Sequence, residues 1–284
     1  MPRVTRPDPT DPIAVFDSGV GGLTVLHECL VSLPHEDFVY LGDTARFPYG
    51  DRSADELRGF ALELGELLLG AGAKLLLVAC NAATSAALPA LRAEFGGRVP
   101  VVGVVEPESR LAARATRSGR IGLLATRATV QSGAYARAVE AAAPGAELVS
   151  VPCPRLAPFI QDGGEVDERV VDFVEEYCAP LIEARVDTVI LGCTHYPLVR
   201  PILQRALGRG VEIVSSGPAM ADEVARALAG AGLSRRSDRR GDYRFLCSGE
   251  AAEFLRVGTR FLQMPLGRVE HVDVRPAAPV GSPA

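Results

Sequence analysis

Seven short apolar runs, each closed by a polar or reactive residue and most of them followed by a stretch of helical period, restrict the fold more than any other feature of the chain. They are IAVFD ending at Asp17, DFVYLGD at Asp43, KLLLVAC at Cys80, VPVVGVVE at Glu106, RIGLLAT at Thr126, DTVILGC at Cys193, and VEIVSS. Strand-length runs that are apolar throughout belong to parallel sheets covered on both faces, and their alternation with helices predicts an α/β fold. In such sheets ligands sit outside the carboxyl ends of the strands, so the closing residues converge on the site.

The gaps carry helix signals of their own. SADELRGFALELGELLLGAGA opens with Ser53 and Glu56 at capping-box spacing and closes on Gly70 and Gly72. A second helix follows Cys80 through SAALPALRAEF. A third is expected directly after Cys193, with Pro197 in its first turn and LVRPILQRAL carrying the apolar stripe. Both cysteines are therefore expected between a buried strand and a helix N-terminus, where the helix dipole favours a thiolate.

At 284 residues the chain exceeds what one core ordinarily serves, which predicts two domains. A net charge of −5 offers no general basic field for nucleic acid, and no apolar run approaches the roughly 18 residues that span a bilayer. Prolines in MPRVTRPDPTDP stand where a signal peptide needs an apolar stretch, so a cytoplasmic protein is expected. Residues 1–12 and the tail 276–284 read as disordered, and SRRSDRRGD as a solvated loop. The six cysteines contain no CxxC pair, which argues against a metal site and a disulfide framework. Lys74 is the sole lysine and directly precedes LLLVAC, poor material for a Schiff base to pyridoxal phosphate.

Two thiols at equivalent strand ends suit a reaction that takes a proton from one face of a carbon and returns one to the other. Stereoinversion needs this symmetry, because the base for one enantiomer is the acid for its mirror image. Asp17, which closes a run of its own, and His195, just past Cys193, are candidate relays. Ser18, Asn81, Thr194 and His195, with helix N-termini and backbone donors near Gly50, would hold carboxylates without an arginine. The cluster Gly19, Gly21 and Gly22 lacks the dinucleotide spacing and reads as a tight turn holding Asp17 and Ser18, although a phosphate-binding turn stays open. Cys29 and Cys178 fall within helical patterns, Cys153 and Cys247 lack the strand-to-helix context, and His27, His35 and His271 are isolated; all read as structural.

The successive stretches FDSGVGGLTVL, YLGDTARFPYG, VACNAATSA, VVEP, SGAY and LGCTHYPL resemble the motifs of the bacterial glutamate racemases, in order, from about Ile13 to Ala229. The resemblance implies cofactor-independent interconversion of L- and D-glutamate, supplying the D-isomer for peptidoglycan, and a homodimer. It also implies two facing, doubly wound α/β domains with mostly parallel sheets: residues 13–100 with 214–275, and residues 101–213, the active site lying in the cleft between them. By the same resemblance Cys80, assisted by Asp17, acts on D-glutamate, and Cys193, assisted by His195, on L-glutamate. Substrate contacts carry over to Asp17, Ser18, Tyr49, Gly50, Asn81, Ala82, Thr194 and His195.

This chain departs from the family pattern in places. Ala82 stands where threonine or serine is usual, so that position keeps only its backbone N–H, with Thr84 or a water as the replacement hydroxyl. Gln161 stands where glutamate is common, with Asp162 beside it as a substitute. Glu108 replaces a usual glycine, and Ser215–Ser216 a common aspartate. Two other readings stay open: a relative acting on aspartate or another small acid, and a nucleotide-binding regulatory protein built on the glycine turn.

Overall fold

The computed structural model describes residues 7–162 and 168–275. Its strands are β1 (Ile13–Asp17), β2 (Phe38–Gly42), β3 (Leu75–Val78), β4 (Val101–Gly103), β5 (Arg120–Ala125), β6 (Glu147–Pro152), β7 (Thr188–Gly192), β8 (Glu212–Val214), β9 (Tyr243–Cys247) and β10 (Val269–His271). Six form one sheet in the order β10-β9-β2-β1-β3-β4, and four form a second in the order β6-β5-β7-β8. Every pairing between them is parallel. The helices between strands are α1 (Leu23–Ser32), α2 (Ala54–Gly70), α3 (Asn81–Phe95), α4 (Val105–Ala115), α5 (Arg127–Gln131), α6 (Ala134–Ala142), α7 (Leu156–Gln161), α8 (Glu168–Glu183), α9 (Arg200–Leu207), α10 (Ser216–Ala231) and α11 (Ala251–Leu262).

The apolar runs become strands because both faces are covered: β1, β2, β3 and β7 are buried at every residue. β6 is an edge strand with a mostly half-exposed pattern, so it lacks the continuous apolar run that marks the others. Ser53 caps α2 in a reciprocal capping box with Glu56, as its spacing predicts. Among the described residues no helix is long and apolar enough to cross a membrane.

Three expectations are corrected here. Val101–Gly103, expected in the second domain, continues the first sheet, because Leu76 pairs with Val101 and Val78 with Gly103. Val214, expected at the return to the first domain, instead closes β8 beside Ile190. Residues 7–12, expected to be disordered, are tied down: Thr10 donates twice to Asp8, Lys74 N donates to Pro12 O at 2.9 Å, and Lys74 Nζ donates to Pro9 O at 2.6 Å. The tail 276–284 lies outside the described residues. SRRSDRRGD is an exposed loop, as expected, held in place by Arg235 and Arg239, both paired to Asp37.

The sole lysine is structural. Lys74 is fully buried and pairs with Glu36 at 2.5 Å, which is itself almost wholly buried and also accepts from Arg235 N. Removing one partner of such a pair strands the other charge away from water, a loss of about 3–5 kcal/mol. Lys74→Met is expected to lower the unfolding free energy by that amount in chemical denaturation; a change under about 1 kcal/mol would mean that Glu36 finds water or another partner.

Candidate active site

The end of β1 delivers Asp17, fully buried, into the turn that precedes α1. Its carboxylate accepts from Gly19 N at 3.1 Å and from Thr194 Oγ1 at 3.3 Å. Burial pushes this carboxyl group up, against the backbone N–H groups of Gly19 and Gly22, which favour its charge. Since Thr194 follows β7, the Asp17 bond joins the ends of strands from the two sheets. Thr24 Oγ1 adds a second link, donating to Thr194 O at 3.3 Å.

The glycines of this turn are explained by that contact. A Cβ on Gly21 would strike Thr194 Oγ1 and the His195 ring, and one on Gly22 would strike Asp17 Cβ and Tyr40. The space that a phosphate would need at Gly21 is filled by the other half of the protein. Gly21→Ala is therefore expected to displace Thr194 and His195 and to lower kcat/KM at least about tenfold without loss of soluble protein. Wild-type kinetics in this variant would show that the turn yields freely.

Cys80 is the N-cap of α3, with its Sγ accepting from Ala83 N at 3.5 Å. The expected thiolate is not what this setting favours in the free protein. Burial, with the Asp17 carboxylate next, pushes the Cys80 thiol up to about 12, outweighing the helix terminus. The Thr84 hydroxyl does not replace the one missing at Ala82, because it donates back to Val78 O, at the end of β3, at 3.0 Å.

Cys193 lies just beyond β7, and burial pushes its thiol well above the usual range. The expected helix does not start directly after it: a 3₁₀ turn over Tyr196–Val199 intervenes, and α9 opens only at Arg200. Two prolines cause this, Pro197 within the 3₁₀ turn and Pro201 in the first turn of α9, since proline is suited to helix starts and not to interiors. His195 stands beside this thiol, with Nδ1 3.8 Å from Sγ. The ring's Nε2 lies 2.9 Å from Gln161 Oε1, so Nε2 carries the proton and Nδ1 turns its lone pair to sulfur. Gln161, and not Asp162, is the residue that holds the ring. Phe47 and Phe261 flank it at 5.6 and 5.2 Å, and burial pulls the imidazole down to about 3, keeping it neutral.

Ser18, Tyr49, Gly50, Cys80, Asn81, Ala82, Cys193, Thr194 and His195 line one cavity. Asp17 lies behind its wall and reaches it through Thr194. Tyr49 contributes its ring and backbone only, because its hydroxyl is bonded to Asp43 within a buried network of Arg46, Glu63 and Ser248. Reading the sequence missed Phe47 and Thr126, which also line the cavity. Thr126 carried a signal, since it closes the run RIGLLAT, and a Cβ on Gly50 would meet its side chain. The cavity measures about 30 Å³, room for about two waters. Cys29, Cys153, Cys178 and Cys247 are buried outside it.

Two all-parallel α/β halves closing on a pair of buried thiols define an amino-acid racemase, and the family model described as Asp/Glu/Hydantoin racemase matches residues 25–224. The chain is 48% identical over 268 residues to the glutamate racemase of Parafrankia sp., covering 94% of this chain and 95% of that one. It superimposes with a TM-score of 0.86 on the glutamate racemase of Bacillus anthracis, at 36% identity, covering 93% of this chain and 97% of that one. The glutamate racemase of Francisella tularensis, solved in complex with D-glutamate, also gives 0.86, at 30% identity over 93% of this chain and 98% of that one. The chain belongs to the glutamate racemase family.

Proposed function

We propose that the protein interconverts L- and D-glutamate by two-base proton transfer between Cys80 and Cys193. The observation that carries this reading is that the two thiols close strands of different sheets yet line one cavity, each with its own partner: Asp17 on the first side, His195 on the second. One cysteine, as thiolate, takes the Cα proton; the bonding pair is left on Cα and drawn into the α-carboxylate. The other, as thiol, returns a proton to the opposite face. The pair then stands in the reverse protonation state, ready for the other enantiomer.

Burial holds both cysteines as thiols, so each thiolate has to be made locally. Asp17, whose basicity burial raises, is the acceptor for the Cys80 proton. His195 Nδ1 is the acceptor for the Cys193 proton, a weaker base because burial pulls the imidazole down and the neutral Gln161 amide on its far side brings no charge to offset this. Such correctly placed groups contribute about 10²–10⁴-fold each. The backbone N–H groups near Gly50 and Asn81, and Ser18, supply donors for the two carboxylates, the Thr194 hydroxyl proton being given to Asp17. The D-glutamate complex of the Francisella relative supports glutamate as the substrate, and the role in peptidoglycan supply rests on the resemblance of the motifs.

The test is incubation of the purified chain with L-glutamate in D₂O without added cofactor. Deuterium at Cα and accumulation of D-glutamate are expected. Absence of both sinks the reading, while faster turnover of aspartate would move the protein to another substrate of the same chemistry, one methylene being worth about 1–3 kcal/mol.

A further inference from the structure

Behind Asn81, away from the thiols, lies a polar cluster that the proton-transfer scheme does not use. Glu108 on α4 is fully buried, as is Tyr135 on α6 to within a percent. Asn81 Nδ2 donates to Glu108 Oε2 at 3.1 Å and to Tyr135 Oη at 2.7 Å, and the Tyr135 hydroxyl donates its hydrogen bond to Glu108 Oε2. Both amide protons are thus spent on α4 and α6. Asn81 Oδ1, buried, has no hydrogen-bond partner among the described residues, although Asn81 lines the cavity.

We infer that Glu108 is a positioning residue for racemisation: its ionised carboxylate, with Tyr135, holds the Asn81 amide so that the carbonyl oxygen is kept for the substrate's ammonium group. This rests on the racemase reading above. An ionised carboxylate only accepts, and the Tyr135 hydroxyl already donates its hydrogen bond to Glu108, so both groups face Asn81 as acceptors. The amide has one orientation that satisfies them. A protonated Glu108 has a proton to donate, and then the reversed amide fits, with Oδ1 toward Glu108 and Nδ2 turned to the cavity. There it would oppose the ammonium group with a second set of donors.

The surroundings set where that change falls. The groups facing Glu108 are Asn81 from α3, Tyr135 from α6 and Ser216 from α10, and none is charged, the tyrosine being held neutral by burial and by Glu108 itself. The sheet beneath α4 and α6 contributes apolar Ile121, Ile190 and Val214. The charged groups of α3, α4 and α10 nearby are paired on the outer side, Arg92 with Glu106 and Arg110 with Glu223. Burial without a cation pushes Glu108 up to about 7, against the bonds that Tyr135 and Asn81 give to Oε2, while Oε1 is buried with no hydrogen-bond partner among the described residues.

The experiment is KM and kcat for L-glutamate from pH 6 to 8.5, a range in which free glutamate itself does not titrate, for the full chain and for Glu108→Gln. If the ionised form binds, KM at pH 6 is about tenfold its value at pH 8, with a smaller change in kcat, and Glu108→Gln flattens the KM profile. A KM without this rise, or a rise that survives in Glu108→Gln, overturns the inference. Tyr135→Phe is the second variant. It removes a donor to the ionised carboxylate and so moves the KM inflection to higher pH; an inflection that stays in place counts equally against the proposal. Failure of the unsubstituted chain to exchange the α-proton at any pH is a separate result, which strikes the underlying racemase reading and takes this inference with it.

Discussion

Cys193→Ala is expected to abolish net racemisation, with a fall of at least about 10²–10⁴-fold, while Cys80 still exchanges the α-proton of D-glutamate with D₂O. The reason is the one-sidedness of each thiol. A proton lost to Cys80 can return only from Cys80 once the opposite acid is gone, so the carbon exchanges without inverting. Cys80→Ala is expected to show the mirror result, exchange from L-glutamate alone. Proton NMR of Cα–H with each pure enantiomer reads both variants in one experiment. Racemisation at the wild-type rate by either variant would rule out the two-base assignment, as would exchange from the wrong enantiomer.

The second large effect is expected at Asp17, which does not line the cavity. Asn keeps an acceptor for Gly19 N and turns its Nδ2 to Thr194 Oγ1, a hydroxyl able to accept instead of donate, but it cannot take a proton from Cys80. Asp17→Asn is therefore expected to lower kcat about 10²-fold with KM nearly unchanged. The equilibrium constant between enantiomers is unity, so kcat/KM has to fall equally in both directions even though only one thiol has lost its partner. Steady-state kinetics from both enantiomers tests this. A variant with normal kcat would leave Asp17 with its bond to Thr194 as its whole role, joining the two sheets.

How much of this was legible in the chain follows burial. Strands covered on both faces, such as β1, β3 and β7, announce themselves as apolar runs, and the residues that close those runs are Asp17, Cys80 and Cys193, of which both cysteines line the cavity and Asp17 lies behind its wall. β6 was missed because an edge strand mixes exposed and buried positions within six residues. The cysteines' resting state was misread for a physical reason: a helix terminus is visible in sequence, but complete desolvation is not, and here desolvation is the larger effect. Partnerships were the least legible. Gln161 meets His195, and Glu108 meets Tyr135 and Asn81, only because separate βα units fold onto one another, and no local spacing encodes those contacts.

The bonds between the halves also shape the site. Asp17 to Thr194, Arg127 to Asp51 and Asn81 to Tyr135 each run from the half built on the first sheet to the half built on the second. Each has one end on a residue that lines the cavity, Thr194, Asp51 or Asn81, so any widening of the cavity is met first by these stitches. Latch and pocket are cut from the same side chains.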